Sequence, residues 1–211
     1  AVAGSDLDEA HRAVFAKFPN ICIEGLEIRD GSRTFAWGGR YLEDWNERET
    51  IFTELGVLEE HPPVPPDHYA DSKFVFLANS HPAIQQGMLD SFPRRVIAVA
   101  DTMNLWIDIA RSDLEALLRN VDGLVLNDAE AMQLTGKKNP ITAGRTMLAD
   151  YGLTFVVIKK GAHGCLLVHR EGLAALPAYP VEEVVDPTGA GDSFAGGMMG
   201  YLAAAHSRDE N

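Results

Sequence analysis

The sequence predicts an α/β protein in which a doubly wound, mostly parallel sheet is flanked by helices, with a small β-rich segment ahead of it. Continuous apolar runs, which suit strands buried on both faces, occur at 74–78, 96–100, 123–126 and 155–158. Segments with helical spacing of apolar residues separate these runs, at 82–91, 112–120, 128–134 and 141–151. Strands that alternate with helices are typical of a parallel, doubly wound sheet.

The first 66 residues have a different rhythm. Helical spacing over 6–17 predicts a helix with Asp6 as its cap. Two β-like runs, 21–28 and 34–37, flank an Asp-Gly-Ser turn at 30–32 and predict a β-hairpin. A third β-like run covers 50–55, and four prolines between 62 and 66 then mark a boundary that no helix would cross. We therefore expect a β unit at 20–60 and an α/β body made of 1–19 and 70–211.

The end of the chain predicts a return hairpin and a final helix. Residues 162–175 have the pattern of a hairpin, and residues 189–205 have that of a helix. The helix carries its apolar residues on one face, at Ala190, Phe194, Met198, Met199 and Leu202.

Composition narrows the classes of partner. The 211 residues carry a formal net charge of −13, which argues against nucleic acid or an anionic membrane as the main partner. Cys22 and Cys165 have no metal-ligand or redox spacing, and are expected to be reduced thiols of a cytoplasmic protein. The seven histidines show no ligand spacing, so the sequence predicts no zinc site.

The segment with the clearest chemical meaning is 185–197 (VDPTGAGDSFAGG). Gly189, Ala190 and Gly191 remove steric bulk where the unpaired N–H groups at the start of a helix point outward, and such a terminus attracts anions. Asp192 follows in the first turn, where a base would take a proton from a hydroxyl attacking a bound phosphate. In the alternative interpretation the glycines only permit close helix–sheet packing, and Asp192 is a helix-stabilising charge.

Two other nucleotide motifs are excluded by spacing. A G-x-G-x-x-G dinucleotide motif would need glycine at position 194, where the chain has Phe194. The sequence contains no G-x-x-x-x-G-K-[ST] string, so a P-loop is also excluded.

The string DPTGAGDSFAGG at 186–197 closely resembles the C-terminal signature of the ribokinase-like (PfkB) carbohydrate kinases. Three other segments are similar to family segments in the same order: 101–106 (DTMNLW), 127–130 (NDAE, like N-x-x-E) and 159–164 (KKGAHG, like a nucleotide-side G-x-x-G turn). The flap at 20–60 resembles the family's β lid. The resemblance spans nearly the whole chain and implies a ribokinase-like fold.

The resemblance also implies an activity, namely transfer of the γ-phosphoryl group of ATP to a hydroxyl of a sugar-like molecule. It makes Asp192 the general base and the segment Gly189, Ala190, Gly191 the anion hole. It further implies nucleotide contacts from Lys159, Gly161, Gly164 and Thr188, Mg²⁺ organised by Asn127 and Glu130, and a monovalent cation near Asp186 and Thr188. Read alone, Asn127 and Glu130 are an ordinary helix cap.

Acceptor contacts are expected from Asp101, Asn104 and Arg40, whereas Trp106 is expected in the core. The resemblance makes a homodimer through the β lid plausible. The family's opening strand, its Gly-Gly-x-x-x-N segment and its later helices have no counterpart, so we expect the chain to lack both ends. Two alternatives stay open, namely a nucleoside kinase of the same superfamily and a non-catalytic sensor of a nucleotide or sugar.

Overall fold

The computed structural model describes residues 1–41 and 48–209, which fall into two compact units, 1–70 and 71–211. Residues 1–19, expected in the α/β body, belong to the first unit, because strand β1 (Val2–Gly4) pairs there with β2 (Glu27–Arg29). The part of the expected lid at 42–47 lies outside the described residues.

The second unit is built on a six-stranded sheet that confirms the mostly parallel sheet expected from the sequence. Its order is β10-β9-β8-β7-β6-β5, with β5 to β8 parallel and the last two strands antiparallel. The strands are β5 (Phe74–Leu77), β6 (Ile97–Asp101), β7 (Gly123–Asn127), β8 (Phe155–Lys159), β9 (Cys165–His169) and β10 (Gly172–Leu176). The predicted return hairpin is β9–β10.

Helices cover both faces of this sheet, because its central strands are apolar on both sides. Successive side chains of a strand point to opposite faces, and Leu124 and Leu126 lie in one core cluster while Val125 lies in the other. The first cluster is covered by α2 (Pro82–Asp90), α3 (Asn104–Ile109), α4 (Arg111–Leu118), α5 (Asp128–Thr135) and α6 (Pro140–Tyr151). The second is covered by α7 (Ala190–Asp209).

The packed face of α7 agrees with the predicted stripe except at its first position. Met199 is buried in the second cluster, and Phe194, Met198 and Leu202 pack against it. Ala190 is exposed at the start of the helix instead. As expected, Trp106 is in the core, with 3% of its surface exposed.

Local signals in the sequence set the ends of α6. The Asn139 side chain accepts hydrogen bonds from the amides of Ile141 and Thr142, and Pro140 occupies the first turn, where its missing N–H costs nothing. Gly152 ends the helix in the left-handed conformation that glycine adopts readily.

The β-hairpin predicted for the first unit was wrong. Its antiparallel pair is β3 (Ala36–Tyr41) with β4 (Arg48–Glu54), not 21–28 with 34–37. The predicted first helix is α1 (Glu9–Phe15), and its cap is Asp8, because the Asp6 carboxylate accepts from the amide and hydroxyl of Thr34 instead. None of the helices within 1–41 and 48–209 combines the length and hydropathy needed to cross a membrane.

Candidate active site

Three predicted site residues end neighbouring strands at one edge of the six-stranded sheet. Asp101 closes β6, Asn127 closes β7 and Lys159 closes β8. Asp101 pairs in register with Val125, and Asn127 pairs with Lys159. The carboxyl ends of parallel strands form the edge where ligands of open α/β sheets bind, so the topology gathers residues that are far apart in the chain.

The start of α7 presents unpaired amides. Gly189 has a φ of 79°, in the left-handed region that favours glycine, and its carbonyl accepts the first helical hydrogen bond, 2.9 Å from the Ser193 amide. The Ala190 amide is bound to the Pro187 carbonyl at 3.1 Å. Within the described part of the chain, the amides of Gly191 and Asp192 have no hydrogen-bond partner. These two donors, at the positive end of a 20-residue helix, are suited to hold an anion.

Lys159 reaches this helix start from the sheet edge. A methyl group placed on Gly191 would lie only 3.0 Å from the Lys159 Nζ. Glycine at 191 therefore leaves the space that the ammonium group uses, and a cation lies beside the two unpaired amides.

The Asp101 carboxyl lies within the electrostatic influence of Lys159 and Asp192. Its side chain is buried, and burial raises the pKa of its carboxyl. The positive charge of Lys159 and a 2.9 Å hydrogen bond from the Thr102 amide act to lower that pKa, whereas the negative charge of Asp192 acts to raise it. Lys159 and Asp192 are thus close enough to act on the ionisation of Asp101.

The Asn127–Glu130 pair forms a reciprocal helix cap. The Asn127 Oδ1 accepts from the Glu130 amide at 2.8 Å, and the Glu130 carboxylate accepts from the Asn127 amide at 2.8 Å. This capping box satisfies two donors at the start of α5. Both side chains offer the hard oxygen atoms that Mg²⁺ prefers, but one oxygen of each already accepts a backbone hydrogen bond.

The glycine turn after Lys159 is tight. Gly161 has a φ of 52° and Gly164 a φ of 81°. The Lys160 amide donates to the Gly164 carbonyl at 2.8 Å, which closes the connection between β8 and β9. A side chain at Gly164 would meet the Leu176 carbonyl oxygen at 1.9 Å, so glycine is required there for structural reasons alone.

Asp186 and Thr188 form a local turn before α7. The Asp186 carboxylate accepts from the Thr188 amide at 2.9 Å, and this hydrogen bond is the first cause of a lowered pKa at Asp186. The turn sets the path of the chain into Gly189.

Asn104 and Arg40 were also predicted to bind the acceptor. No contact among the described residues places either of them at this sheet edge. The side-chain nitrogen of Asn104 donates to the side-chain oxygen of Gln133 in α5 at 3.2 Å. Arg40 is exposed in β3 of the first unit, where it pairs in register with Glu49. Their roles in binding the acceptor stay predictions.

Sequence reasoning missed Gln85, which fixes the strand ends. Its amide nitrogen donates to the carbonyls of Leu77 and Ala78 at the end of β5 and of Asp101 at the end of β6, at 2.9, 3.1 and 2.9 Å. Only 2% of Gln85 is exposed. A glutamine within an amphipathic helix reads as a surface residue, so no pattern in the sequence could have singled it out.

Comparison with protein families gives a match over most of the second unit. Residues 73–210 match the family described as pfkB family carbohydrate kinase. That range contains the sheet edge, the capping box, the glycine turn and the start of α7.

Individual curated proteins are similar over different lengths. A cytidine kinase from Thermococcus kodakarensis is 33% identical over 185 residues, which are 85% of this chain and 65% of that protein. A ribokinase from Mus musculus is 43% identical over 84 residues, which are 36% of this chain and 25% of that protein. The chain spans less than two thirds of the length of both relatives.

Solved structures share the fold. A nucleoside kinase from Burkholderia thailandensis in complex with inosine superposes with a TM-score of 0.73 at 18% identity, covering 93% of this chain and 63% of that one. A ribokinase from Thermotoga maritima gives a TM-score of 0.67 at 21% identity, covering 92% and 64%. The fold is therefore ribokinase-like.

Proposed function

The chain belongs to the pfkB family of carbohydrate kinases, and from this premise we propose that it transfers the γ-phosphoryl group of ATP to a hydroxyl of a sugar-like small molecule. The observation that carries the proposal is the start of α7, where unpaired amides, the Lys159 ammonium group and the Asp192 carboxylate lie together. A phosphoryl donor, an acceptor hydroxyl and a base must meet at such a point.

The anion hole is assigned to the segment Gly189, Ala190, Gly191 with the Asp192 amide. Negative charge on the γ-phosphoryl oxygens is stabilised by the two unpaired amides and by the helix dipole. Because these donors are fixed by the helix, they need no reorganisation during the reaction. Lys159 adds a positive charge next to Gly191.

Asp192 is assigned as the general base. It is exposed in the first turn of α7, so an acceptor can reach its carboxylate. As the acceptor oxygen bonds to the γ-phosphorus, Asp192 takes the hydroxyl proton, and the bond from the γ-phosphorus to the ADP oxygen breaks. Lys159 offsets the negative charge that Asp192 and the phosphates bring together.

Asn127 and Glu130 are the residues that would hold Mg²⁺. Bound with ATP, the ion would neutralise negative charge on the phosphates. Since the capping box already occupies one oxygen of each side chain, we assign both residues to contacts through water, which Mg²⁺ retains readily.

The turn at Gly161 and Gly164 is assigned to the nucleotide side, next to Lys159, together with Thr188. The loop at Asp186 and Thr188 is assigned to a monovalent cation, on the strength of the family resemblance. We retain Asp101, Asn104 and Arg40 as residues that bind the acceptor. Of these, Asp101 is influenced by the charges of Lys159 and Asp192.

A nucleoside acceptor is the second candidate. The long match to a cytidine kinase favours it, because that match covers 85% of this chain whereas the ribokinase match covers 36%. Both candidates use the same phosphoryl-transfer residues and differ only in the acceptor. A non-catalytic sensor is the third candidate, and the exposed Asp192 beside an anion site argues against it, since a binding protein needs no base.

The test is acceptor-dependent formation of ADP from ATP and Mg²⁺, measured across a panel of sugars and nucleosides. Asp192→Asn is expected to lower kcat by about 10²–10⁴-fold, the usual contribution of a general base, while ATP still binds. Ser193→Ala, on the neighbouring exposed residue, is the matched control. Turnover that is unchanged in Asp192→Asn would refute the base, and nucleotide binding without turnover in the unaltered protein would favour the sensor.

A further inference from the structure

The first unit brings together a thiol, an imidazole and a carboxylate that no spacing in the sequence connects. The three residues are Cys22, Glu24 and His68, and each is exposed and offers one ligand atom. These three atoms lie within 4.8 Å of one another. We propose that these residues form a binding site for a divalent transition-metal ion, Zn²⁺ by the chemistry of its ligands. The inference is independent of the proposed kinase activity.

The choice of ion follows from the ligand types. Thiolate, imidazole and carboxylate are the three side-chain ligands that Zn²⁺ uses in proteins, whereas Mg²⁺ and Ca²⁺ require oxygen ligands. A thiolate from Cys22 and the carboxylate of Glu24 balance the charge of a divalent ion, with neutral His68 as the third ligand. Three protein ligands leave a fourth, solvent-facing position for water.

The distances between the ligand atoms are close to those found between ligands of a bound zinc ion. The His68 Nε2 and Glu24 Oε2 atoms are 3.4 Å apart. Zinc–ligand bonds of about 2.0–2.1 Å at tetrahedral angles place such a nitrogen and oxygen about 3.3 Å apart. The same geometry places sulfur and nitrogen about 3.6 Å apart, so the Cys22 side chain needs a shift of at most about 1.2 Å from the 4.8 Å limit.

Backbone hydrogen bonds hold both segments that supply the ligands. On one side, the Leu26 amide donates to the Ile23 carbonyl at 2.9 Å, and the N-terminal ammonium group donates to the Gly25 carbonyl at 2.9 Å. On the other side, His68 lies in a 3₁₀ turn closed by a 2.9 Å hydrogen bond from the Tyr69 amide to the Pro66 carbonyl. The site is therefore supported by two turns rather than by free chain.

Tyr69 gives the thiol a supporting partner. Its hydroxyl donates to the Cys22 Sγ at 2.7 Å, and its ring meets the His68 imidazole edge-on with centroids 4.3 Å apart. Gly25 permits this packing, because a side chain there would meet the Tyr69 ring at 2.9 Å. A hydroxyl that donates to a metal-binding thiolate stabilises its charged form and fixes its direction.

The experiment uses the metal-free chain in a non-chelating reductant and titrates it with Co²⁺, whose thiolate charge-transfer absorbance reports a cobalt–sulfur bond. We expect saturation at one equivalent and displacement by Zn²⁺. Cys22→Ser should abolish the absorbance, and His68→Gln should weaken Co²⁺ binding by about tenfold or more. Tyr69→Phe, which removes only the supporting hydroxyl, should weaken binding by about 10–100-fold, the usual effect of losing such a partner.

Two variants serve as matched controls. His61→Gln alters the exposed His61–Glu27 pair, whose atoms are 3.9 Å apart in the same unit without a neighbouring thiol. Cys165→Ala removes the other, buried cysteine. Both should bind Co²⁺ as the unaltered chain does. Absorbance that survives Cys22→Ser, or that is lost in either control, would overturn the proposal.

A second measurement needs no variant. Iodoacetamide should alkylate the exposed Cys22 readily in the metal-free chain, and saturating Zn²⁺ should slow that reaction at least tenfold, read by mass spectrometry of the peptide. An unchanged rate of Cys22 alkylation would overturn the proposal even if a variant failed to fold.

Discussion

Asp101 shows at the residue scale how a candidate site residue can oppose stability. The residue is 7% exposed, and burial raises the pKa of its carboxyl above the unfolded value of about 3.9. Below the unfolded pKa both states bind the proton, and the buried group costs nothing. As the pH rises from the unfolded pKa towards the raised pKa of the folded state, the unfolded state releases its proton first, so the free energy of unfolding falls.

We therefore predict that Asp101→Asn stabilises the protein at neutral pH. Asparagine keeps the oxygen that accepts from the Thr102 amide but cannot ionise. The gain in the free energy of unfolding over the unaltered protein should grow from pH 4 to pH 7, measured by urea unfolding. ADP formation should fall in the same variant. A gain that shrinks as the pH rises would contradict the assigned direction of the pKa shift.

Gly191 allows the catalytic role proposed for glycine at the start of α7 to be tested apart from its effect on stability. Its backbone is not in the left-handed region, and the atom nearest to an added side chain is the flexible end of Lys159, at 3.0 Å. Gly191→Ala should therefore leave the free energy of unfolding unchanged or raise it by up to about 1 kcal/mol. Turnover should fall, because the methyl group displaces the ammonium group and crowds the phosphate.

Gly200 is the matched control for Gly191→Ala. It lies in the same helix with nothing within 4 Å of an added side chain. Gly200→Ala should raise the free energy of unfolding by about 0.5–1 kcal/mol and leave turnover unchanged. Equal turnover in the two variants would argue against a phosphate beside Gly191. Urea unfolding and ADP formation measure the two properties separately.

At the scale of elements, the Gln85 side chain of α2 holds the ends of β5 and β6 together. We predict that Gln85→Leu lowers the free energy of unfolding by about 2–4 kcal/mol, because two buried carbonyls and one partly buried carbonyl lose a donor. Gln86→Leu, at the half-buried neighbouring position, should change it by less than about 0.5 kcal/mol. Similar urea midpoints for the two variants would show that the clamp contributes little.

Local signals were sufficient for most elements of the second unit and insufficient for the strand pairing of the first. Apolar runs and caps such as Asn139 and Gly152 are contained in a few consecutive residues, so strands β5 to β8 and helices α2 and α4 to α7 were predicted near their observed bounds. The hairpin over 21–37 was wrong because β2 finds its partner in β1, at the start of the chain. A parallel pairing between distant segments leaves no turn signal between them.

At the scale of the whole molecule, the same contrast decides which candidate site residues can be proposed from sequence alone. The start of α7 is one continuous string, and its glycines, Lys159 and Asp192 were predicted together. Gln85 and the cluster of Cys22, Glu24 and His68 depend on contacts between distant segments, and for them the spacing is uninformative. The fold is required to bring such residues together.

The first unit carries the last prediction, a homodimer through its β3–β4 pair. A two-stranded sheet is marginal by itself in water, and across residues 1–41 and 48–209 no third strand pairs with either member. Ile51 of β4 is 64% exposed and Phe52 is 48% exposed. An isologous contact between two copies would bury this apolar surface and satisfy unpaired strand edges.

Light scattering coupled to gel filtration should therefore give twice the chain mass at micromolar concentration. Ile51→Lys, which places a charge on the exposed face of β4, should weaken the dimer at least tenfold, equivalent to about 1.4 kcal/mol. Val64→Lys replaces a valine that is 79% exposed in the same unit but outside any strand, and it should leave the dimer intact. If both variants dissociate equally, or if the unaltered chain is monomeric at every concentration, the β3–β4 pair is not the interface.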